Sequence, residues 1–331
     1  MASALRLLRR PFASSAQYRL MSTKAPLLVT PQELSQLARS TDVAILDASW
    51  HMPNSPRNAQ SEFAATRIPG ARFFDLDQAA SPNDLGLKHM MPSPQIFSEA
   101  LEKLGVRPSS HVILYDSQGI FSSPRALFTF RALGHANSSV LNGGLPRWQA
   151  EGLSTHGGPL ADVEKSTYPL PSLNDDAIRS YSQVVDNSAY DLSAQPIAEL
   201  VLDARSRGRY TGEDPEPRPG LPSGHIPSSF SLPFNAFLAT NTVPNSTAKY
   251  TTFLPPDELR KVLVDAVGPE HAQQILEGKR KVISSCGSGM TAGVLWLGLK
   301  IISKSTKVAI YDESWTGYAS RAESKIDKGP K

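Results

Sequence analysis

The sequence predicts an α/β fold of two tandem domains, each a parallel sheet flanked by helices on both faces. One observation is an internal repeat: Asp47 in the first half corresponds to Asp203 in the second, and other segments recur at offsets of up to 170 residues. The other is that short β-branched runs, such as residues 112–115 and 282–285, precede longer amphipathic stretches in both halves. Short buried strands that alternate with helices are typical of a parallel sheet covered on both faces.

The repeat covers almost the whole chain in five pairs of segments. Because the offsets drift only by loop-sized amounts, we predict one domain of roughly 130–140 residues present twice, and not a short-period solenoid. The predicted boundaries are a first domain over 26–154, a Gly- and Pro-interrupted linker over 155–180, a second domain over 181–320 and a polar tail over 321–331. The paired segments are 44–50 with 201–207, 67–74 with 225–232, 94–106 with 256–268, 111–115 with 281–285 and 140–145 with 310–315.

Composition excludes several classes of protein. Hydrophobic residues make up 40% of the 331 residues, which is enough to form cores and argues against a wholly disordered chain. The longest apolar run, residues 293–302, is too short to cross a bilayer, so we expect no membrane partner. A single cysteine can form neither an internal disulfide nor a cysteine-based zinc cluster, so we expect neither of these.

The excess of positive charge lies in the first 26 residues. This segment contains five basic side chains and no acidic one, and the rest of the chain carries 29 basic against 31 acidic side chains, a net charge of −2. An Arg-rich, Ser-containing segment without acids predicts a mitochondrial presequence over 1–25, with a tail of chance composition as the alternative. Initiation at Met21 would remove four of the five basic residues, and we hypothesise that it gives a cytosolic form. The slightly acidic body gives no charge-based reason to expect direct binding of nucleic acid.

The only cysteine, Cys286, lies between a predicted strand and a predicted helix. Gly287 and Gly289 allow a tight loop whose backbone N–H groups turn inward, and the positive end of the following helix points at the same place. Both features favour the thiolate, which is the nucleophilic form of cysteine. A buried structural cysteine is the alternative, but this loop position favours catalysis. The predicted active-site loop is Cys286, Gly287, Ser288, Gly289, Met290, Thr291 and Ala292.

Three other uses of such a loop lack a residue that they require. A cysteine-based phosphatase needs an arginine where Ala292 stands, and a phosphate P-loop needs a Gly-Lys-Ser/Thr sequence that does not occur here. A serine-hydrolase elbow needs glycines two residues to either side of Ser288, where Cys286 and Met290 stand.

The two halves and the loop CGSGMTA at 286–292 resemble the two-domain rhodanese family, and within it the 3-mercaptopyruvate sulfurtransferases, including fungal members often called thiosulfate sulfurtransferases. The resemblance covers residues 26–318. It implies two rhodanese-like domains and transfer of sulfane sulfur from 3-mercaptopyruvate, with thiosulfate as a second donor, through a persulfide on Cys286. The equivalent loop of the first half, around residues 115–125, has no cysteine, so that domain is expected to be catalytically silent.

The resemblance also implies a substrate site in the stretch 203–218. There Arg209 and Arg218 are expected to hold the carboxylate and the carbonyl of an α-keto acid, because guanidinium groups match planar oxygens in pairs. Solvated arginines in a Pro-rich loop are the alternative. Met290 stands where the family usually has a smaller β-branched residue, which we expect to reshape the rim of the site.

A proton relay is implied as well. By resemblance, Asp77 orients His89, and His89 contacts Ser288 across the cleft between the domains. From the residues alone, a surface His–Asp pair is the commoner arrangement, so this prediction depends on the resemblance.

The sulfur acceptor is expected to lie outside the chain, because a single cysteine cannot resolve its own persulfide as a disulfide. Cyanide, glutathione, reduced thioredoxin or a sulfur-relay protein are the candidate acceptors, and the resemblance implies a role in tRNA thiolation. No metal or organic cofactor is implied. Two other classes of function stay open: a serine hydrolase that uses Ser288, His89 and Asp77, and a non-catalytic rhodanese-like binding module.

Overall fold

The computed structural model describes residues 25–38, 42–160, 162–243 and 246–330. The presequence predicted over 1–25, apart from Ala25, and the alternative start at Met21 therefore lie outside the described residues. Among those residues, no helix is both long enough and apolar enough to span a bilayer.

Two five-stranded sheets, each parallel throughout, form the framework. The first has the order β1-β5-β4-β2-β3, with strands β1 (Leu28–Val29), β2 (Val43–Asp47), β3 (Arg72–Phe73), β4 (His111–Tyr115) and β5 (Ser138–Leu141). Its helices are α1 (Pro31–Leu37), α2 (Ala59–Ala65), α3 (Pro94–Lys103), α4 (Ser123–Ala132) and α5 (Gly144–Ala150).

The second sheet repeats this order as β6-β12-β11-β7-β8. Its strands are β6 (Ile178–Arg179), β7 (Leu200–Asp203), β8 (Phe230–Ser231), β11 (Val282–Ser285) and β12 (Val308–Tyr311), and an antiparallel hairpin is added by β9 (Leu238–Thr242) and β10 (Lys249–Phe253). Its helices are α6 (Tyr181–Ser188), α7 (Arg207–Thr211), α8 (Pro256–Val267), α9 (Pro269–Leu276), α10 (Ala292–Ile302) and α11 (Ser314–Ala319). The shared strand order confirms the predicted α/β fold of two tandem domains.

The two halves share one apolar core. The largest cluster of buried side chains runs through the facing sides of both sheets, and two smaller clusters cover the outer faces. Helix α10 is apolar on nearly all sides, as expected for a helix buried between domains, and it packs against α4. The two helices meet so closely that a Cβ on Gly293 would lie 2.7 Å from the backbone nitrogen of Arg125. The interface between the halves is therefore as tightly packed as a domain interior.

Two segments predicted to connect or follow the domains are part of the folded halves. Strand β6 lies inside the predicted linker of 155–180, and a bridge joins Arg67 to His156. In the second half an equivalent bridge joins His225 to Asp327, within the predicted polar tail. Two-residue strands and single bridges are too short to show a periodicity, so the sequence pattern underestimates both domains at their ends.

Candidate active site

Cys286 follows directly after the central strand β11, at the carboxyl end of the parallel sheet, and the loop that it opens leads into helix α10. The loop folds back so that the Gly289 N–H donates to the Cys286 Sγ at 3.1 Å, while the Cys286 N–H donates to the Ser314 Oγ at 3.1 Å. Gly289 has a φ of +84°, and a Cβ there would lie 2.6 Å from the carbonyl oxygen of Asp312, so only glycine fits. Cys286 is 2% exposed and lines a small cavity.

The cavity has a volume of about 260 Å³ and two unlike walls. The first half provides an apolar side that includes Trp50, Met52 and Phe121, and the second half provides three arginines together with the cysteine loop. Both halves are therefore needed to enclose the site. The remaining lining residues are Ala204, Ser206, Phe234, Gly287, Ser288, Met290 and Thr291. Ala292, the last residue of the predicted loop, is buried and opens α10.

The predicted substrate arginines lie on either side of the loop backbone. A Cβ on Gly287 would lie 3.1 Å from Nη2 of Arg209 and 3.4 Å from Nη1 of Arg218. Burial lowers the pKa of Arg218, although Cys286 opposes that shift, and Arg218 has no carboxylate within ion-pair distance in the described part of the chain. A partly desolvated cation beside the Cys286 loop is suited to binding an anionic substrate.

Two further residues, Glu216 and Arg205, lie beside Arg209, and Glu216 was not predicted as part of the site. The carboxylate of Glu216 accepts two hydrogen bonds from Arg209, at 3.0 and 2.5 Å, and one from Nη1 of Arg205 at 2.7 Å. Arg205 is fully buried, also pairs with Asp203 and lies 4.0 Å over the ring of Trp315. The signal in the sequence was weak: an acid within an Arg-rich stretch has no periodicity that marks it as a bridge between two arginines.

Asp77, His89 and Ser288 form a continuous chain of hydrogen bonds across the domain boundary. His89 Nε2 lies 3.0 Å from the Ser288 Oγ, and His89 Nδ1 lies 3.0 Å from the Asp77 Oδ1. The indole N–H of Trp50 donates to the other carboxylate oxygen of Asp77 at 3.1 Å. The structure thus brings together the three residues that the sequence could connect only through the resemblance.

The surroundings of His89 favour its neutral form. Burial lowers the pKa of His89; its hydrogen bond to Asp77 opposes this shift, and the charge of Arg125 adds to it. Burial raises the pKa of Asp77, but the hydrogen bonds from His89 and Trp50 outweigh burial and leave it lowered. Asp77 is therefore a carboxylate that accepts from Nδ1–H, and His89 Nε2 can accept the proton of the Ser288 hydroxyl, whereas its contact with the Ser288 carbonyl oxygen favours the protonated ring.

The first half contains the same kind of loop, but its own carboxylate fills it. Asp116 follows strand β4 in the position that Cys286 has after β11. Its Oδ2 accepts from the three N–H groups of residues 121–123 at 2.9, 3.1 and 3.0 Å, and its Oδ1 accepts from the N–H of Gln118 at 2.9 Å. An internal anion thus occupies the backbone cradle and leaves no nucleophile there, which supports the predicted silence of this domain.

Comparison with known proteins places the chain in a family. A model of the rhodanese-like domain matches residues 30–151. A probable 3-mercaptopyruvate sulfurtransferase of Schizosaccharomyces pombe is 34% identical over 297 residues, which are 90% of this chain and 92% of that protein. The chain belongs to the two-domain rhodanese family of 3-mercaptopyruvate sulfurtransferases. This membership makes it an enzyme of the transferase class and confirms the family predicted from the loop and the repeat.

Further relatives of this sulfurtransferase family agree in length and fold. The mitochondrial thiosulfate/3-mercaptopyruvate sulfurtransferase 1 of Arabidopsis thaliana is 35% identical over 324 residues, which cover 93% of this chain and 79% of that protein. The solved structure of the sulfur transferase subunit of yeast mitochondrial complex I has a TM-score of 0.76 and 32% identity, and the match covers 92% of this chain and all of that one. The roles of individual residues stay predictions, which the geometry above makes specific.

Proposed function

We propose that the chain takes sulfane sulfur from 3-mercaptopyruvate as a persulfide on Cys286, releases pyruvate and passes the sulfur to an external acceptor. The observation that carries the proposal is the Cys286 loop: it lines the cavity between the two halves together with Arg209 and Arg218, and its Ser288 contacts His89. The names of the relatives supply the donor, and the geometry supplies a role for each side chain.

In the first step the thiolate of Cys286 attacks the sulfur of the donor. The S–S bond forms as the donor C–S bond breaks, and its electron pair leaves on carbon as the enolate of pyruvate. Arg209 and Arg218 bind the carboxylate and the developing enolate oxygen, where two cations stabilise the negative charge. The Gly289 N–H, which donates to Sγ before the reaction, is placed to stabilise the charge on the new persulfide.

The proton of the donor thiol ends on the methyl carbon of pyruvate, so the first step needs no other acid. Neutral His89 takes this proton through the hydroxyl of Ser288 and returns it by the same route. While His89 is protonated, its Nε2–H can donate to the carbonyl oxygen of Ser288, which lies 2.8 Å away. The products are a persulfide anion on Cys286 and pyruvate, and both atoms and charge balance.

In the second step the acceptor attacks the outer sulfur, the S–S bond breaks and Cys286 leaves as its thiolate; an acceptor thiol becomes a persulfide, and cyanide becomes thiocyanate. The chain has one cysteine, so the acceptor is external: glutathione, reduced thioredoxin, cyanide or a sulfur-relay protein. We include in the proposal a role in tRNA thiolation through such a relay and the use of thiosulfate as a second donor; thiosulfate appears in the name of the Arabidopsis relative.

We place the protein in the mitochondrion, and in the cytosol when translation starts at Met21. The names of the Arabidopsis and yeast relatives and the basic, acid-free segment of 1–26 support the mitochondrial part. N-terminal peptides from separated cell fractions test both parts by mass spectrometry. We expect a processed terminus near residue 25 in mitochondria and a terminus at Met21 in the cytosol; one terminus in one compartment would exclude the second form.

Intact-mass spectrometry after incubation with 3-mercaptopyruvate tests the central proposal. We expect a gain of roughly 32 Da, one sulfur, that is absent from the Cys286→Ser variant and is removed by added thiol. A serine hydrolase would stay active in Cys286→Ser, and a binding module would gain no mass in either form. Either of those results contradicts the proposal. Rates with thiosulfate, measured beside those with 3-mercaptopyruvate, decide the donor preference.

A further inference from the structure

A buried ion pair joins the two halves directly behind the active site. Arg125 lies on α4 in the first half and is 1% exposed, and Asp312 follows β12 in the second half. Nη2 of Arg125 lies 2.5 Å from Oδ1 of Asp312. Neither residue stands out in the order of the amino acids, because each lies in an ordinary turn or helix of its own half.

This pair holds both sides of the Ser288–His89 contact by the backbone. Arg125 donates through Nη2 to the carbonyl oxygen of His89 at 2.8 Å and through Nη1 to the carbonyl oxygen of Gly289 at 3.1 Å. Asp312 accepts from the N–H of Met91 at 2.6 Å. The guanidinium of Arg125 thus binds the backbone of His89 in the first half and that of Gly289, in the cysteine loop of the second half, at the same time.

The backbone of His89 needs such support. Its φ of +47° lies in the left-handed region, which is unfavourable for a residue with a Cβ and persists only where the surroundings enforce it. The carbonyl of His89 and the N–H of Met91, on either side of this turn, are the groups that the ion pair holds. Relaxation of the turn to ordinary φ values would carry the imidazole away from Ser288.

Net stability is a weak reason for a buried ion pair, because desolvation of the two charges largely offsets their attraction. We propose that Arg125 and Asp312 are positioning residues for sulfur transfer: by holding the backbones of His89, Met91 and Gly289, they set the distance between His89 and Ser288. The inference rests on the proposed proton relay through these two side chains. Neither Arg125 nor Asp312 touches the substrate in this role.

The test compares Arg125→Met with Arg131→Met in the full chain. Arg131 lies on the same helix, but its guanidinium donates to Ala25 and Ser138, so its replacement is a matched control. We expect Arg125→Met to slow persulfide formation at saturating 3-mercaptopyruvate by about 10- to 100-fold, because a small misplacement of a reacting group has effects of this size. The concentration of donor for half-maximal rate should change less than threefold, since the substrate arginines are intact.

Partial rescue separates positioning from general loss of structure. Arg125→Lys keeps the charge but loses the planar guanidinium that donates to two carbonyl oxygens, and Asp312→Asn keeps the shape but not the charge. We expect both variants to give rates between those of the wild type and Arg125→Met. These two variants also serve where Arg125→Met does not fold. Wild-type rates in Arg125→Lys and Asp312→Asn, or a loss confined to donor affinity, would overturn the inference.

A double-mutant cycle with His89→Asn identifies the group that is positioned. If Arg125 acts through His89, Arg125→Met or Arg125→Lys slows the His89→Asn protein less than threefold further. If the two losses multiply, Arg125 does not act through His89 and the positioning role is wrong. If His89→Asn alone keeps the wild-type rate, the proposed relay itself fails and the positioning role fails with it, a result distinct from multiplied losses.

Discussion

The Nε2 atom of His89 lies 3.0 Å from the hydroxyl oxygen of Ser288 and 2.8 Å from the carbonyl oxygen of the same residue. Neutral His89 can accept from the hydroxyl, whereas the carbonyl oxygen can accept only from a protonated Nε2–H, so the two contacts suit different protonation states of the ring. His89 belongs to the first half and Ser288 to the second. In the proposed relay the first half therefore supplies the base, although its own loop has no cysteine.

Replacement of Ser288 by Ala, or of His89 by Asn, should lower kcat with 3-mercaptopyruvate by roughly 10²–10⁴-fold, the usual contribution of a positioned acid–base group. The donor KM should change little, because neither side chain is expected to hold the carboxylate. Steady-state kinetics at fixed acceptor concentration measure both values. Ser285→Ala is the matched control, since the Ser285 hydroxyl has no hydrogen-bond partner among the described residues. Unchanged kcat in both variants would remove the relay from the mechanism.

Loss of Arg218 should mainly weaken binding of the donor. Arg218→Met removes a cation that has no ion-pair partner among the described residues, so we expect the KM for 3-mercaptopyruvate to rise about tenfold or more, the equivalent of one charge-assisted hydrogen bond. Its midpoint of thermal unfolding should stay near that of the wild type. An unchanged KM would place Arg218 outside the substrate site.

Loss of Arg209 should weaken both the donor site and the fold. Arg209→Met leaves Glu216 Oε2, which is bonded to Arg209 Nη2, without its partner in a buried position. We expect a similar rise in KM together with a loss of about 1–3 kcal/mol in stability, the usual effect of an unpaired buried acceptor. Urea unfolding measures the second effect. Equal stability in the Arg209 and Arg218 variants would contradict the bridging role of Glu216.

The carboxylate in the silent loop should matter for stability and not for sulfur transfer. Asp116→Ala leaves the N–H groups of residues 121–123 without their acceptor, and we expect it to lower stability by about 1–3 kcal/mol. Asp84→Ala, at an exposed position in the same half, is the control. Below the unfolding transition the Asp116 variant should form the Cys286 persulfide at close to the wild-type rate. A large loss of rate in the folded variant would mean that the first loop takes part in the reaction.

The pH dependence of persulfide formation should reflect the burial of His89. Burial lowers the pKa of His89 below its ordinary value of 6.5, so the base stays neutral and active as the pH falls through 6.5 and is lost only at lower pH. Because Asp77 raises the pKa of His89, Asp77→Asn should move this loss to still lower pH. Single-turnover rates between pH 4.5 and 8 measure the pH at which this activity is lost. The His89→Asn variant is the control, because it lacks the imidazole and should not show the same fall in rate at low pH. A midpoint at or above 6.5 would contradict a neutral, buried base.

Much of the fold could be predicted from the sequence because its signals are local. Alternating strands and helices, repeated at nearly constant offset, predict two parallel sheets, and the two sheets share one strand order. The hairpin β9–β10 and the two-residue strand β6 were not predicted. Their residues carry no clear periodicity, and their pairing depends on neighbours that the chain provides elsewhere.

By itself the sequence predicted the Cys286 loop and its candidate nucleophile, because strand, glycines, cysteine and helix start are contiguous and their geometry follows from local backbone preferences. Only the tertiary structure decided how the rest of the site is assembled. His89 and Ser288 are 199 residues apart, and Arg125 and Asp312 are 187 apart. Each of these pairs forms because α4 and α10 pack the two halves together, and contacts made by packing leave no pattern in the order of the residues.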